Sequence, residues 1–300
     1  MTIEPTTITI LFSFLILLLC GSIGGFLAGL LGVGGGMLFI PVIHEYLNNY
    51  SLTTDEIVKY TLGNSIALVF ISGVSGTFRQ IKMGTWDWKQ SLQIGIPGAL
   101  SSLAMSYAIT HGDWYNKQRF QTVFLGFLLL SIGNMIFGKS KAQKINSPSN
   151  TNVELSEKKT YISPTAKNQK TILLPTLVGI LAGTVVSLSG LGGGIIMVPL
   201  FRMLLKKPMH QATSLSLSIV PILSISSLLQ YTISQPIQPI NPLQTGYLLW
   251  IILIPMMAGV MFFSSFGQKT APRVPVLWLR VIFAVLSSII LVKTLIEINS

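Results

Sequence analysis

The chain has 300 residues, of which 50% are apolar and only 10% are charged, whereas soluble domains carry about 25% charged residues. With a mean hydropathy of +0.66, this composition excludes an ordinary soluble globular protein. In a soluble protein the net charge of +11 would suggest a nucleic-acid partner. Here the basic residues lie between apolar runs, so we expect them to face anionic lipid, and we predict no nucleic-acid partner.

Ten apolar segments of helical length or near it follow one another along the chain. A Lys-, Ser- and Asn-rich stretch at 138–170 divides them and has the composition of a solvated linker. The sequence therefore predicts an all-α polytopic membrane protein with a first membrane repeat at 1–137, a basic linker at 138–170 and a second repeat at 171–300. The segments are 8–31, 36–49, 57–78, 90–110, 119–137, 171–190, 194–205, 211–232, 246–266 and 275–296.

The two halves repeat each other in sequence. Gly32-Val33-Gly34-Gly35-Gly36 aligns with Gly190-Leu191-Gly192-Gly193-Gly194 at an offset of 158 residues. Two prolines in each half keep the same offset, Pro41 with Pro199 and Pro97 with Pro255. Gly63-Asn64-Ser65 aligns with Ser214-Leu215-Ser216 at an offset of 151. A shared glycine cluster with two prolines in register indicates duplication rather than chance.

Loop charges predict the orientation of the segments in the membrane. If all ten cross, the basic loops 79–89, 138–170, 202–210 and 267–274 fall on one side, which the positive-inside rule makes cytoplasmic. Both termini then lie outside, and five crossings in each half make the halves inverted repeats. At about 21 Å as a helix, 36–49 is short for a bilayer core. Whether it and 194–205 cross fully stays open.

The glycine clusters are the first candidate for a binding site. Consecutive glycines permit left-handed backbone and expose N–H groups. A new helix begins after each cluster, and a helix N-terminus attracts anions without a charged side chain. Two inverted copies would direct two such N-termini at one point. The alternative is close packing of helices through small residues. We predict substrate contacts at Gly34, Gly35, Gly36, Gly192, Gly193 and Gly194.

Neutral polar residues inside two later segments are the second candidate. Asn64 and Ser65 correspond to Leu215 and Ser216, and Ser214 lies beside them. Such donors can hold an oxyanion in a dry site, or they can simply bond one helix to another. We predict that Asn64, Ser65, Ser214 and Ser216 bind the substrate.

Two prolines and two polar residues are candidates for gating. Pro41 and Pro199 interrupt the short helices and are candidates for gating kinks. Arg79 and Gln80 end the third segment and could form a cytoplasmic mouth, although an interfacial arginine would look the same.

Within the predicted segments no Asp or Glu lies deep, so no carboxylate relay is visible. We predict no enzymatic activity, no cofactor and no metal.

The doubled pattern resembles a known family. Gly25-x-x-x-Gly29-Leu30-Leu31-Gly32-Val33-Gly34-Gly35-Gly36 followed by Pro41, with its second copy ending at Pro199, is similar to the TauE/SafE family of sulfite exporter-like membrane proteins. The resemblance implies transport of small sulfur-containing anions, usually outward. The chain departs from the family pattern at Asn64, where the family tends to have Thr, and at Ser214-Leu215-Ser216, where it has Gly-Thr-Ser.

These observations lead to one main hypothesis. The protein is expected to be a secondary transporter of the cell membrane that exports sulfite, a sulfonate or a related organosulfur anion by alternating access. Its expected partners are a small anionic substrate and the lipid bilayer. An anion channel and a non-transporting membrane scaffold are the alternatives. The sequence leaves the oligomeric state open between a monomer and a homodimer.

Overall fold

The computed structural model describes residues 7–31, 34–48, 50, 52–82, 84, 86–112, 114–137, 173–207 and 209–270, with the single positions 285, 288 and 292. These residues form nine α-helices and one short β-hairpin. The elements are α1 (Thr7–Leu31), α2 (Gly36–Leu47), α3 (Thr54–Lys82), α4 (Trp88–His111), α5 (Lys117–Phe137), α6 (Leu173–Ser189), α7 (Gly194–Met203), α8 (Met209–Ile233), β1 (Gln244–Thr245), β2 (Leu248–Leu249) and α9 (Trp250–Thr270).

The predicted all-α polytopic class is confirmed. Within the described ranges, α1, α3, α4, α8 and α9 are long and apolar enough to cross a membrane. Each of the first nine predicted segments corresponds to a helix. The predicted linker at 138–170 and nearly all of the tenth segment, 275–296, lie outside the described residues.

The helices that follow the glycine clusters are short. Helix α2 has 12 residues and α7 has 10, which correspond to about 18 and 15 Å of helix. The hydrocarbon core is about 30 Å thick. Neither helix can cross it alone, so each must begin or end inside protein at membrane depth.

A hairpin replaces the predicted start of the ninth segment. Residues 246–249 belong to the turn and second strand of an antiparallel pair, Gln244 with Leu249 and Thr245 with Leu248, and α9 begins only at Trp250. Gly246 has a φ of 57°, and a Cβ atom there would lie 2.4 Å from the carbonyl oxygen of Tyr231. The predicted boundary was wrong because an apolar run looks alike in a strand and a helix.

Glycines let two pairs of helices approach at backbone distance. On α1, a Cβ atom at Gly21 would lie 2.6 Å from Met256 Cα, and one at Gly25 would lie 2.6 Å from Val260 Cα of α9. In the second pair, a Cβ atom at Gly183 of α6 would lie 2.0 Å from the carbonyl oxygen of Gly98 in α4. In both pairs, contacts advance along the two helices in the same direction, so the paired helices are parallel.

The pairing of α3 with α8 forms the centre of the molecule. Gly63 faces Tyr231, Gly73 faces Pro221, and the Gln80 amide donates to the Ser214 carbonyl at 3.0 Å. The contact partner moves backward along α8 as one moves forward along α3, so these helices are antiparallel. The middle of α3 is fully buried at Ile66, Leu68 and Val69, which places this helix in the core.

Candidate functional site

Both glycine clusters adopt left-handed backbone. In the first cluster Gly34 and Gly35 have φ values of 84° and 77°, and in the second Gly190, Gly192 and Gly193 have 65°, 79° and 69°. Gly35 is the N-cap of α2 and Gly193 is the N-cap of α7. A side chain with a Cβ atom is strained in this conformation, so glycine is required for each chain reversal into its short helix.

The two clusters meet in space. A Cβ atom on Gly36 would lie 2.4 Å from the carbonyl oxygen of Gly190 and 2.6 Å from Leu191 Cα. One on Gly34 would lie 3.6 Å from Gly192 Cα. Segments about 158 residues apart therefore contact each other through bare backbone, and the segment that precedes α7 lies against the first residue of α2. Gly34, Gly36, Gly190 and Gly192 make these contacts, whereas Gly35 faces Phe39 and Gly193 faces Val186 and Met197.

Helix α3 lies directly against the junction. The Ser65 hydroxyl donates to the Gly190 carbonyl at 2.8 Å. One turn later, Val69 Cγ1 would be 3.5 Å from a Cβ atom on Gly34 and 2.6 Å from one on Gly192. One face of α3 thus contacts both glycine clusters, and Ser65 is the predicted polar residue that the structure places directly beside a cluster.

Asn64 has a different set of contacts. Its amide nitrogen donates to the carbonyls of Tyr60 at 2.8 Å and Tyr247 at 3.0 Å, and its amide oxygen accepts from Leu249 N at 2.9 Å. The side chain is fully buried and anchors the hairpin to α3. Direct contact between Asn64 and a substrate stays a prediction.

The serines predicted on α8 differ from each other. The Ser214 carbonyl accepts from Gln80 and from the Ser218 hydroxyl, each at 3.0 Å, and the residue is half-buried. Ser216 is fully buried, and its hydroxyl has no hydrogen-bond partner among the described residues. A buried hydroxyl without a partner costs about 1–3 kcal/mol, which makes Ser216 the predicted site residue with an unused donor.

The residues predicted at a cytoplasmic mouth tie helices together. Arg79 donates from Nη1 to the Ser265 carbonyl of α9 at 2.9 Å. Gln80 is buried and accepts from the Ser218 hydroxyl at 2.5 Å. In this conformation the C-terminal end of α3 is therefore hydrogen-bonded to both α8 and α9.

The two predicted gating prolines occupy equivalent places. Pro41 is the sixth residue of α2 and Pro199 the sixth of α7, and both are half-buried. A proline at this position removes one backbone hydrogen bond near the middle of the short helix. Their role as gates stays a prediction.

A buried polar group at the start of α3 was missed from the sequence. Glu56 is 1% exposed and accepts from the Tyr247 hydroxyl at 3.0 Å and from Ile237 N at 3.2 Å. Lys59 Nζ lies 3.9 Å from the same carboxylate. The signal was hidden because Glu56 lies just before the apolar run that begins at Ile57, where a carboxylate reads as an exposed helix start. In the described part of the chain, no cluster of His, Cys, Asp and Glu could hold a metal.

Comparison with known proteins decides the family. The sequence model of the Sulfite exporter TauE/SafE family matches residues 17–294. The chain belongs to the TauE/SafE family. Nearly the whole chain is covered, which agrees with the doubled glycine pattern.

Curated relatives of this TauE/SafE member are named as transporters. A probable membrane transporter protein of Methanocaldococcus jannaschii is 27% identical, with 91% of this chain and 93% of the relative covered. Similar proteins are YunE of Bacillus subtilis, also a probable membrane transporter, at 25% identity over 90% and 94%, and one of Haemophilus influenzae at 29% over 91% and 95%. No solved structure matches the chain. Family and relatives point to membrane transport rather than catalysis.

Proposed function

We propose that the protein is a secondary transporter that exports a small sulfur-containing anion, such as sulfite or a sulfonate, across the cell membrane by alternating access. The observation that carries this proposal is the junction of two left-handed glycine clusters from opposite halves against Ser65 of α3. The family name, Sulfite exporter TauE/SafE, supports the substrate class, and the relatives' names support transport.

The contacts support a two-fold relation between inverted halves. At the offset of 158, the contact of Gly21 with Met256 corresponds to that of Gly179 with Gly98, and both pairs touch. Helices α3 and α8 are repeat equivalents and run antiparallel. Parallel repeats would place equivalent helices in the same direction, so the antiparallel arrangement favours inversion. In this proposal both termini lie outside and the linker 138–170 is cytoplasmic.

The substrate is proposed to lie at the junction of the two glycine clusters, between the N-terminal ends of α2 and α7. Backbone N–H groups and the two helix dipoles would hold the anion, and the Ser216 hydroxyl would add a hydrogen bond to a charged acceptor, which is stronger than a neutral one. Pro41 and Pro199 would let the short helices move, and the ties of Arg79 and Gln80 would open at the cytoplasmic side. The proposed binding residues are Gly34, Gly35, Gly36, Asn64, Ser65, Gly192, Gly193, Gly194, Ser214 and Ser216.

Ser216→Ala tests the site with little risk to the fold, because the hydroxyl that it removes bonds to no described residue. The purified variant is reconstituted in proteoliposomes, and sulfite uptake and counterflow are measured. We expect the KM for sulfite to rise at least tenfold while thermal stability stays the same or increases. The matched control is Ser224→Ala, also fully buried on α8, whose hydroxyl is already bonded to the Val220 carbonyl of its own helix.

Two outcomes would contradict the proposal. An unchanged KM in the Ser216→Ala variant would remove this serine from the site. Absence of saturable sulfite or sulfonate flux in the wild type would contradict the transport function itself, and flux without counterflow would indicate a channel.

A further inference from the structure

Four buried serines form a closed hydrogen-bonded cluster where α4, α6 and α8 meet. The hydroxyl oxygens are linked by distances between 2.5 and 3.2 Å, and all four residues have no exposed surface. Each hydroxyl therefore has partners inside the protein. We name this group the serine cluster; its members are Ser102, Ser106, Ser187 and Ser227.

The place that the sequence repeat relates to this cluster, on α9, α1 and α3, lacks most of these hydroxyls. At an offset of 158, Ser102, Ser106 and Ser187 correspond to Val260, Ser264 and Gly29, and at an offset of 151, Ser227 corresponds to Gly76. Only Ser264 keeps its hydroxyl. It is fully buried, and the hydroxyl oxygen has no hydrogen-bond partner in the described part of the chain.

Two more unpartnered groups lie at the same place. The Gln268 amide nitrogen lies 3.2 Å from the Cβ position of Gly76, one turn beyond Ser264 on α9. Ser72 precedes Gly76 by one turn on α3. The Ser72 hydroxyl and the Gln268 amide nitrogen have no partner among the described residues, and Ser72 is 0% and Gln268 9% exposed. Three buried donors without a described partner thus lie near Gly76, on neighbouring turns of α3 and α9.

The position of this group along α3 relates it to the junction of the glycine clusters. Ser65, Val69, Ser72, Gly76 and Gln80 recur at intervals of three or four residues and so share one face of the helix. The first two contact the glycine clusters, and Gln80 is tied to α8 at the other end. The unpartnered donors therefore lie between the junction and the end of α3 that carries Arg79.

We propose that Ser72, Ser264 and Gln268 form a second binding site for the transported oxyanion, one step from the glycine junction toward the Arg79 end of α3. This inference rests on the proposed transport function. Unmet donors in a dry interior are costly, and an oxyanion offers several acceptors and forms charge-assisted bonds. Residues 60–82 and 250–270 contain no Asp or Glu to repel it. The serine cluster, whose donors bond to one another, offers no such site.

The test removes the donors one at a time. Gln268→Leu and Ser264→Ala delete groups that bond to no described residue, so both variants should fold. In proteoliposomes each is expected to raise the KM for sulfite at least tenfold, and in detergent each should reduce the thermal shift produced by sulfite. Ser224→Ala is the control for removing a buried hydroxyl that is already bonded.

A gain-of-contact variant, Gly76→Ser, tests the same site from the other direction. The nearest atoms to the new Cβ would be the flexible ends of Gln268 and Leu217 at 3.2 and 3.3 Å. Its hydroxyl would meet Ser264 as Ser227 meets Ser106 at 2.7 Å. We expect a higher melting temperature, as in a closed cluster, and a sulfite flux reduced at least tenfold.

The outcomes separate this inference from the proposed function. Wild-type sulfite flux with an unchanged KM in Gln268→Leu and Ser264→Ala would overturn the second site alone. A sulfite-induced thermal shift that these two variants reduce, without wild-type flux, would overturn transport but support the site. If sulfite, sulfate and taurine all fail to shift the wild-type melting temperature, the second site is overturned.

Discussion

Hydrogen bonds of single buried residues attach the N-terminal end of α3 to the hairpin and to the loop before it. Glu56 holds the hairpin through Tyr247 and the loop before it through Ile237. Asn64 holds the hairpin through Tyr247 and Leu249, and the Tyr60 hydroxyl donates to the Gln238 carbonyl of the loop at 3.0 Å. Burial, together with the adjacent Glu56 carboxylate, raises the pKa of Tyr247 above its usual value. The hydroxyl therefore stays protonated at neutral pH and remains a donor.

Tyr247→Phe should destabilise the protein because it removes one donor from the buried Glu56 carboxylate. The expected loss is about 1–3 kcal/mol, typical of a buried acceptor that loses a partner. The measurement is the thermal unfolding of the purified protein at neutral pH. Tyr107→Phe is the control, since Tyr107 is 56% exposed. Equal melting temperatures for the two variants would show that the Glu56 contact contributes nothing to stability.

The packing of two helix pairs in this molecule depends on how closely their backbones approach each other. Glycines at the interfaces of α1 with α9 and of α4 with α6 put backbone atoms where a Cβ atom would collide. In a membrane, packing of this kind takes the place of the hydrophobic effect between helices. Glycine destabilises a helix by about 0.5–1 kcal/mol relative to alanine. Its presence in these helices is therefore explained by close packing and not by helix propensity.

Gly183→Ala and Gly126→Ala should therefore have opposite effects. A Cβ atom at Gly183 would lie 2.0 Å from the Gly98 carbonyl oxygen, so α4 and α6 must separate. Around a Cβ atom at Gly126 of α5, no atom of the described residues lies within 4 Å. We expect Gly183→Ala to lower the melting temperature by several degrees, whereas Gly126→Ala should leave it unchanged or raise it. A similar effect of both substitutions would contradict the packing that we describe.

For the whole molecule, the central question is how the two halves lie in the membrane. The proposed two-fold relation concerns only how the halves lie relative to each other, whereas the direction of insertion is predicted from the loop charges. In the proposed orientation the basic linker is cytoplasmic, whereas the uncharged loop 233–245 is outside. Ile237 in that loop is 79% exposed and so offers a position for labelling.

Cysteine labelling in whole cells tests this orientation. In a Cys20→Ala background, Ile237→Cys should react with an impermeant maleimide in intact cells, whereas Ser149→Cys in the linker should react only after the membrane is permeabilised. The comparison of the two positions controls for expression. The reverse pattern would mean that the protein is inserted the other way, and labelling of both in intact cells would contradict an odd number of crossings between them.

Local patterns in the sequence determined much of this protein. Hydrophobic length marked the helices, and the doubled glycines marked both breaks, because left-handed backbone excludes nearly every other residue. The tertiary structure alone decided which of these residues meet. Asn64 and Ser65 are neighbours in sequence, yet one holds the hairpin and the other faces Gly190, since successive helix positions point about 100° apart. Segments more than a hundred residues away likewise bury Glu56, and they bring together the unpaired donors of Ser72, Ser264 and Gln268. Spacing along the chain carries no signal for such contacts.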